Sequence, residues 1–530
     1  MRWPAAARPT TIGKRSDMDN GVRRLGAFLA IAVLLFAACG SATTSSTPGA
    51  SASSAAGASS APSSAASADA SASASVAPAP TPIPIANSTG KPGDVELRWY
   101  CCLGQGDQPE MVDAEQKVAQ GFNDSHPGIH LTFEAYPYLG ARDALSVEIG
   151  SGNGPDIVGP VGIGGANAFH GQWLDLQPLI DKNHYDMTQF PASTVALYNV
   201  GGEGQVGIPF AVYPSALFYR ASLFKEAGLN EPPHEWGGTY KMPDGSVVPW
   251  DYDTARKIAL LLTVDKNGKD ATQAGFDPEN IVQWGFEPQR DDLRQVGAYW
   301  TAGSLVAADG RTAQIPDSWV KAWHWFYDGI WKDHFSVTGP QFQNTDFNPD
   351  GYPFFTGKVA MSENYIWSMY GVPESGTDWN LAAAPSYNGQ TTAAFNADTF
   401  RILKSSKHPD EAFQVLEYLS GDAAEQLAEL YGGFPARPAQ QAAFFDALQN
   451  QVDDSGKKLV PQKIDWNVII KGAEHADVPN FESYVPAYNQ TLDLLNTFGT
   501  KWQATSGLDL DQEIADLKTQ LQAVFDKGGS

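Results

Sequence analysis

Tryptophan is the residue type whose number and placement in this sequence point most directly to a binding chemistry. The chain of 530 residues contains 15 tryptophans, and all except Trp3 and Trp99 lie beyond residue 170. A flat indole ring packs against the apolar C–H face of a sugar ring, while neighbouring polar side chains bond to the sugar hydroxyls. The segment AWHWFYDGIW (322–331) is a different case, because its aromatic residues share one face of a predicted helix. We interpret those rings as helix packing.

Motifs of catalysis are rare in the sequence. We find no G-x-S-x-G nucleophile elbow, no H-E-x-x-H and no P-loop. The G-x-G-x-x-G spacing in GGEGQVG (201–207) precedes a predicted strand instead of following one, so it lacks the context of a dinucleotide site. The segment DFNPDG (346–351) copies half of a calcium loop, but Gly357 stands where the bidentate glutamate is required. We therefore expect no metal, no cofactor and no catalytic residue.

The acidic residues leave one enzyme class open and exclude one class of partner. Residues 39–530 contain 29 Lys and Arg against 58 Asp and Glu, a net charge of −29. A chain with this charge repels polyanions, so we expect no nucleic-acid partner. Glycoside hydrolysis needs two carboxyl groups about 5–9.5 Å apart, a separation that a linear sequence does not reveal. A secreted glycoside hydrolase therefore stays as an alternative.

The N-terminus has the organisation of a bacterial export signal. A basic pair at 23–24 precedes the apolar run FLAIAVLLFAA, which is shorter than the roughly 20 residues of a membrane-spanning helix. The run ends in FAAC, which resembles a lipobox, so we expect residues 1–38 to be a signal peptide and Cys39 to be lipidated. Plain signal cleavage is the alternative, and both Met1 and Met18 are compatible with the start.

Residues 39–93 are predicted to form a disordered tether. From Ser41 to Gly93 there is no aromatic residue and there are only two charges, among Ser, Ala, Thr and Pro. This composition buries too little apolar surface to offset chain entropy. At roughly 5–6 Å × √n the tether reaches about 40 Å. We expect an extracytoplasmic protein, held on the outer face of the cytoplasmic membrane through the lipid on Cys39.

Two further cysteines, Cys101 and Cys102, are adjacent in RWYCCLGQG. Paired cysteines outside the cell usually form a disulfide. Neighbouring Cα atoms across a trans peptide lie only about 3.8 Å apart, however, which is below the usual disulfide range. We expect two reduced thiols, and a vicinal disulfide stays open as the alternative.

The apolar pattern after residue 93 predicts an α/β protein. The segment VELRWYCCL (95–103) is apolar on both faces, as a buried strand is, and Pro109 begins a predicted helix. The segment IHLTFEAY (129–136) then alternates as a strand does, and a strand–helix–strand order of this length favours parallel packing. About 437 residues exceed what one core usually serves, so we expect two lobes. A stripe at helical spacing predicts a closing C-terminal helix: Leu510, Ile514, Leu517, Leu521 and Phe525.

An ordered series of segments resembles the family-1 extracellular solute-binding proteins of sugar ABC transporters, which are maltose-binding-protein-like. The series is FNDSHPGIHLTFEAYPY, GSGNGPDIV, WLDLQPLI, GQVGIPFAVYPSALFYRASLFKEAGLNEPPHEW, FFTGKVAMSENYIW, ILKSSKHPDEAFQVLEYLS and GGFPARP. It covers nearly all of residues 94–440 in the order of the family. The resemblance implies a type II periplasmic-binding-protein-like fold with lobes joined by crossing strands. Lobe 1 would comprise 94–209 and 398–432, and lobe 2 would comprise 210–397 and 433–530.

The resemblance also implies a ligand cleft between the lobes. Trp367 ends the strand AMSENYIW, which in the family delivers a stacking aromatic residue, and Phe395 would be the platform at the second crossing. Tyr213, Asn396 and Asp398 lie at the crossings, where a hinge hydrogen bond and a ligand contact are both compatible with the pattern. The predicted ligand-binding residues are Gln105, Tyr213, Trp300, Trp367, Phe395, Asn396, Asp398 and Arg437.

Two features of the pattern limit what the resemblance implies. The segment GPVGIGG (159–165) stands where relatives commonly place polar or aromatic ligand contacts, which leaves the identity of the sugar open. Arg437, in GGFPARP, either faces the cleft or pairs with a surface acid.

The sequence thus predicts the substrate-binding component of an ABC importer for a mono- or oligosaccharide. Its expected partners are the sugar, the permease subunits and the membrane, and we expect a monomer. A lipid-anchored glycoside hydrolase is one alternative, and a sugar sensor or adhesin without transport is another. Facing carboxylates with turnover would indicate the hydrolase.

Overall fold

The computed structural model describes residues 81–104, 106–290, 292–344, 347, 353–371, 378–452, 458, 460 and 463–528. The predicted signal peptide, Cys39 and Gln105 lie outside these residues. The strands are β1 (Val95–Cys101), β2 (Ile129–Ala135), β3 (Ile157–Gly162), β4 (Asn199–Val200), β5 (Gly204–Gln205), β6 (Ala211–Tyr219), β7 (Thr239–Lys241), β8 (Val247–Pro249), β9 (Val264–Asp265), β10 (Ile281–Phe286), β11 (Val359–Tyr365), β12 (Asn380–Ala382), β13 (Phe395–Ile402) and β14 (Phe434–Pro435).

The helices surround these strands, and none of those described combines the length and the apolarity that a membrane crossing requires. They are α1 (Pro109–Ser125), α2 (Tyr138–Gly150), α3 (Ile163–Asn167), α4 (Gln177–Asn183), α5 (Ala192–Ala196), α6 (Ala221–Glu226), α7 (Tyr252–Leu262), α8 (Leu293–Ala298), α9 (Asp317–Trp331), α10 (Gly339–Phe342), α11 (Pro409–Leu419), α12 (Ala424–Leu430), α13 (Pro438–Asn450), α14 (Asn467–Gly472), α15 (Tyr488–Ala504) and α16 (Leu510–Gly528). Short 3₁₀ turns lie at Met187–Gln189, Pro353–Thr356, Ile366–Gly371 and Ala473–His475.

One large sheet runs through the molecule in the order β2-β1-β3-β13-β6-β11-β10-β9, with β12 and β14 also paired to β6. At one end β1 pairs in parallel with β2 and β3, as the strand–helix–strand pattern predicts. In the middle β13 lies antiparallel between β3 and β6, so Asp398 pairs with Gly162 on one side and with Ala211 on the other. These crossing strands connect the two halves of the sheet. The predicted two-lobed α/β fold is confirmed.

Helical apolar stripes bury the faces that the sequence pattern indicates. Proline at the start of α1 suits the first helical turn, and the side chains of Val118 and Phe122 are buried against the sheet. In α9 the rings of Trp323 and Phe326 are buried on one face, which confirms that they serve packing. The predicted stripe of α16 is buried throughout: Leu510, Ile514, Leu517, Leu521 and Phe525.

The end of the predicted tether lies against the sheet. We refer to residues 83–88 as the N-terminal strap. The backbone N–H of Ile83 donates to the carbonyl oxygen of Ala135 at 2.8 Å, beside the outer edge of β2. The Asn87 amide donates to the carbonyl of Phe133 at 2.9 Å and accepts from its N–H at 3.2 Å. A tether disordered as far as Gly93 was the expectation, but these hydrogen bonds hold its last part on β2.

A disulfide joins Cys101 and Cys102 at the end of β1. The peptide bond between them is cis and their Cα atoms are 3.2 Å apart, closer than the trans spacing on which the expectation of two thiols was based. That expectation is wrong, and the open alternative is the arrangement present. Both cysteines are fully buried beneath Gly106, where an added Cβ would lie 2.6 Å from the Cys101 Sγ.

Candidate ligand-binding site between the lobes

The crossing strands place Tyr213, Asn396 and Asp398 on one face of the sheet. Asn396 pairs with Tyr213 across β13 and β6, and Asp398 follows two positions later, so the three side chains point the same way. The Tyr213 hydroxyl donates to Asp398 Oδ2 at 3.1 Å. Asn396 and Asp398 are half-buried, and within the described residues the Asn396 amide forms no side-chain hydrogen bond. This face therefore presents polar groups that a ligand can use.

Trp367 lies beside Tyr213. Pairing of Tyr365 with Ser215 brings the end of β11 next to β6. Trp367 follows two residues later, in the 3₁₀ turn that begins at Ile366. Its ring stacks on that of Tyr365, with centroids 4.3 Å apart, and lies 5.3 Å from the ring of Tyr213. The Trp367 side chain is partly exposed, so part of its surface is open to a ligand.

Burial changes the acidity of Asp398. Desolvation raises the pKa of its carboxyl from the ordinary 3.8 to about 6, and the hydrogen bond from Tyr213 opposes that rise. Near neutral pH the ionised and the protonated Asp398 carboxyl therefore differ little in free energy. A carboxyl in this condition accepts a hydrogen bond when ionised and donates one when protonated.

The segment before α15, from Asp477 to Glu482, also reaches the site. Asp477 fixes this segment to β13, because its carboxylate accepts from the N–H groups of Phe395 at 2.8 Å and Phe481 at 2.9 Å. Glu482 then contacts the other lobe: its Oε2 accepts from the Gly164 N–H at 3.3 Å. Its carbonyl oxygen accepts from the Asn167 side chain at 2.6 Å. Glu482 thus joins the segment before α15 to α3.

The glycine-rich segment GPVGIGG (159–165) differs from the family pattern, and Gly164 shows a steric reason for glycine there. A Cβ built there would lie 2.7 Å from Glu482 Oε1 and 3.0 Å from the Tyr488 hydroxyl, so a larger residue would push these groups away. Sequence reasoning missed Glu482, although its neighbours in FESYVPAYN (481–489) combine an acid with two tyrosines.

Glu482 is the second carboxyl of the site with a raised pKa. Desolvation raises its pKa to about 7, the nearby Arg294 lowers it, and the Asp398 charge raises it. Arg294 is 2% exposed and already bonds to Asp292, with Nε 2.9 Å and Nη2 2.5 Å from Oδ2. Two carboxyl groups therefore stand close enough to interact, with one guanidinium nearby. We refer to Tyr213, Trp367, Asn396, Asp398 and Glu482 as the interlobe site.

Two predicted aromatic contacts lie elsewhere. Phe395 is fully buried, because strand alternation turns it to the face opposite Asn396, and it does not serve as a platform. Trp300 is 8% exposed, with its ring stacked 4.3 Å from Tyr252 and 4.8 Å from Tyr387. Both rings pack in the core, and this burial does not support their predicted ligand role.

Arg437 is also held away from a ligand role. Its Nε donates to Gln189 at 2.6 Å, its Nη2 donates to the Tyr185 hydroxyl at 2.9 Å, and its Nη1 donates to the Ser420 carbonyl. The guanidinium also lies over the ring of Phe190. It therefore joins neighbouring loops, and among the described residues it forms no ion pair with an acid.

The interlobe site combines an aromatic surface with carboxyl, amide and hydroxyl groups, which suits a ligand with many hydroxyl groups. In the described part of the chain, Cys101, Cys102 and Glu115 are grouped closely enough to hold a metal ion. The two sulfur atoms are bonded to each other, however, and the thiolates that a metal requires are not available.

The family model described as bacterial extracellular solute-binding protein matches residues 107–426, more than half of the chain. The chain belongs to this family. As a solute-binding protein it has a substrate-binding role outside the cytoplasm, which confirms the resemblance seen in the sequence. The match ends before the segment that carries Glu482.

Solved structures agree on the fold. The sugar-binding protein MalE from Xanthomonas citri is 15% identical, with a TM-score of 0.60, 82% of this chain and 98% of that chain covered. UspC from M. tuberculosis is 20% identical, with a TM-score of 0.59 and coverages of 81% and 100%. The cyclic alpha-maltosyl-1,6-maltose binding protein from Arthrobacter globiformis is 17% identical, with a TM-score of 0.58 and coverages of 82% and 100%. This solute-binding protein therefore shares their architecture over the whole of their length.

Proposed function

We propose that this solute-binding protein captures a mono- or oligosaccharide at the interlobe site and delivers it to the permease of an ABC importer. The observation that carries the proposal is the partly exposed indole of Trp367, 5.3 Å from the ring of Tyr213. The Tyr213 hydroxyl bonds to Asp398, and Asn396 pairs with Tyr213 across the strands. A sugar has apolar faces and a polar rim, so it requires an apolar ring next to polar groups that still have hydrogen-bonding capacity.

The ligands of similar structures support this class. Besides the cyclic alpha-maltosyl-1,6-maltose binding protein, one similar protein from Listeria monocytogenes is in complex with cycloalternan and one from Thermotoga lettingae is bound with alpha-D-tagatose. These ligands range from a monosaccharide to cyclic oligosaccharides. The proposal therefore specifies the class of ligand and leaves its length to experiment.

Closure of the lobes over the sugar would complete the binding step. The connections between the halves of the sheet pass through β6 and β13, which is where a hinge would bend. The hydrogen bond between Gly164 and Glu482 joins elements on the two sides of the site. Closure would exclude water and place the ligand hydroxyls against Asn396 and Asp398.

We also propose that a lipid on Cys39 anchors the protein to the outer face of the cytoplasmic membrane. The basic pair, the apolar run and FAAC in the sequence support this proposal. Cys39→Ser is expected to remove incorporation of labelled palmitate and to release the protein from the membrane fraction. Membrane association equal to that of the wild type would contradict it.

A thermal-shift screen of the purified protein against sugars tests the binding function. A ligand at 100 times its Kd adds about 2.7 kcal/mol to the free energy of unfolding, which gives a readily measured shift. Trp367→Ala is expected to remove most of this shift while changing the unliganded melting temperature little, because Trp367 is partly exposed. Trp331→Ala, a change at a partly buried tryptophan of α9, is the matched control and should leave the ligand shift intact. If Trp331→Ala lost the ligand-induced shift while Trp367→Ala kept it, the proposal would be contradicted.

The alternatives are distinguished with the same samples. A glycoside hydrolase would convert the bound sugar, so chromatography of the incubated ligand would show cleavage products. A sensor or an adhesin would bind the sugar without supporting its uptake. Uptake of labelled sugar by cells lacking this protein, compared with the parent, separates these from the importer.

A further inference from the structure

Tyr213 is held in place from behind the interlobe site by a glycine. Gly433 lies just before β14, which pairs with β6 so that Phe434 faces Val212. A Cβ built on Gly433 would lie 2.8 Å from both the Cζ and the hydroxyl oxygen of Tyr213. Its φ lies outside the left-handed region, so the backbone conformation does not require glycine here. Glycine is favoured because the Tyr213 ring, together with the Ala211 Cβ at 2.9 Å, occupies the space of a side chain.

The residue two positions earlier limits the Tyr213 hydroxyl on its other side. The Tyr213 hydroxyl lies 3.5 Å from the carbonyl oxygen of Tyr431 and 3.1 Å from Asp398 Oδ2. Tyr213 is only 4% exposed, so its ring has little freedom to rotate. Contacts from both sides thus direct the hydroxyl toward the Asp398 carboxyl.

Tyr431 is itself fixed at its far end by Glu115. The Tyr431 hydroxyl donates to Glu115 Oε1, and Glu115 is fully buried in α1. Burial raises the pKa of Glu115 well above its usual range, and the hydrogen bond from Tyr431 opposes that rise. The Cys101 sulfur lies 3.4 Å from the same Glu115 oxygen, so the disulfide contacts the Glu115 carboxyl.

A continuous series of contacts therefore runs from the disulfide to the ligand-facing side of β13. It passes from Glu115 through Tyr431 to Tyr213 and ends at Asp398. Displacement of the Tyr213 ring would break the hydrogen bond that opposes the raised pKa of Asp398. It would also disturb the packing of Trp367, 5.3 Å away.

We propose that Gly433, Tyr431 and Glu115 are positioning residues of the interlobe site, which fix the Tyr213 hydroxyl so that the Asp398 carboxyl meets a ligand hydroxyl. The proposal rests on the proposed function, in which Asp398 and Trp367 contact the sugar. None of the three positioning residues needs to touch the ligand. Their effect on affinity passes through Tyr213.

Gly433→Ala is the main test, with Gly201→Ala as its matched control. A Cβ on Gly201 meets no atom within 4 Å, so the control should leave the structure and the affinity unchanged. Titration calorimetry with maltose and maltotriose measures the Kd. Loss of a hydrogen bond to a charged group is expected to raise the Kd about tenfold in Gly433→Ala.

A double-mutant cycle separates positioning from a general structural effect. In a Tyr213→Ala background the ring is absent, so Gly433→Ala should have no further effect on the Kd. Equal losses in both backgrounds would show that Gly433 acts independently of Tyr213 and would overturn the proposal. Glu115→Gln keeps a neutral acceptor and should retain the affinity, whereas Glu115→Ala should lower it.

A crystal structure of Gly433→Ala tests the same proposal without a ligand. The Tyr213 hydroxyl is expected to move out of hydrogen-bond distance from Asp398, and an unmoved hydroxyl would overturn the proposal. If the wild type binds neither sugar, the proposed function fails for these probes and the crystal structure decides the positioning. If Gly433→Ala does not fold, Tyr431→Phe, which removes only the bond to Glu115, takes its place in both measurements, with the same outcomes.

Discussion

Asp398→Asn is expected to change the pH dependence of the free energy of unfolding. Burial raises the pKa of Asp398 from 3.8 to about 6 in the folded protein. The difference of about 2.2 units corresponds to about 3 kcal/mol at 1.36 kcal/mol per unit. Because the folded pKa is the higher one, this stability is fully present below 3.8 and is lost as the pH rises through about 6. At neutral pH the wild type therefore carries a destabilisation of about 3 kcal/mol that the asparagine variant lacks.

Urea unfolding of both proteins, followed by tryptophan fluorescence between about pH 4 and about pH 7, measures this difference. The stability of the variant relative to the wild type should rise by about 2.4 kcal/mol across this range, because part of the full difference is already lost at pH 4. Buried carboxyl groups that Asp398 does not influence, such as Asp477, are present in both proteins and cancel in the difference. Glu482 adds a smaller difference of the same sign, because loss of the Asp398 charge lowers its raised pKa. Asp113→Asn, at an exposed position of α1, is the control and should show a constant difference. A difference for Asp398→Asn that does not change with pH would refute the reasoning.

Two further predictions concern the N-terminal strap and the C-terminal helix. Asn87→Ala removes both hydrogen bonds to Phe133, so the backbone amide hydrogens of residues 83–88 should exchange with solvent faster. The free energy of unfolding should fall by about 1–2 kcal/mol. Unchanged hydrogen exchange would contradict the docking of the strap. Leu521→Ala truncates a fully buried side chain of α16 and should lower the free energy of unfolding by about 2–5 kcal/mol, measured by urea denaturation. Lys518→Ala on the exposed face of the same helix should stay within about 0.5 kcal/mol, and equal effects of the two changes would show that the stripe is not core.

The fold was predictable from the sequence because it depends on patterns that repeat over many residues. The α16 stripe and the alternation in β2 each rest on several side chains, and single exceptions do not change the pattern. The position of Trp367 next to the crossing strands was predictable for another reason: it follows a strand whose neighbours match a known family order. The structure brings it to Tyr213, as that order implies.

The rest of the site depends on contacts between distant segments, which periodicity does not encode. Phe395 and Asn396 are adjacent in sequence and face opposite sides of β13, so knowledge of the face was needed to choose between them. Glu482 meets Gly164 across more than three hundred positions of the chain. The disulfide between Cys101 and Cys102 was not predictable either, because the local backbone conformation that brings two adjacent sulfur atoms together is not encoded in a residue pattern.

The N-terminal strap has a consequence for encounters between copies of the protein. The strand β2 is the last in its sheet, and its outer edge is the kind of surface at which sheets of separate molecules join. Under the lipid anchor that we propose, copies on one membrane would meet at a high local concentration, where such joining is favoured. By lying over that edge, residues 83–88 cover the surface through which two copies would pair.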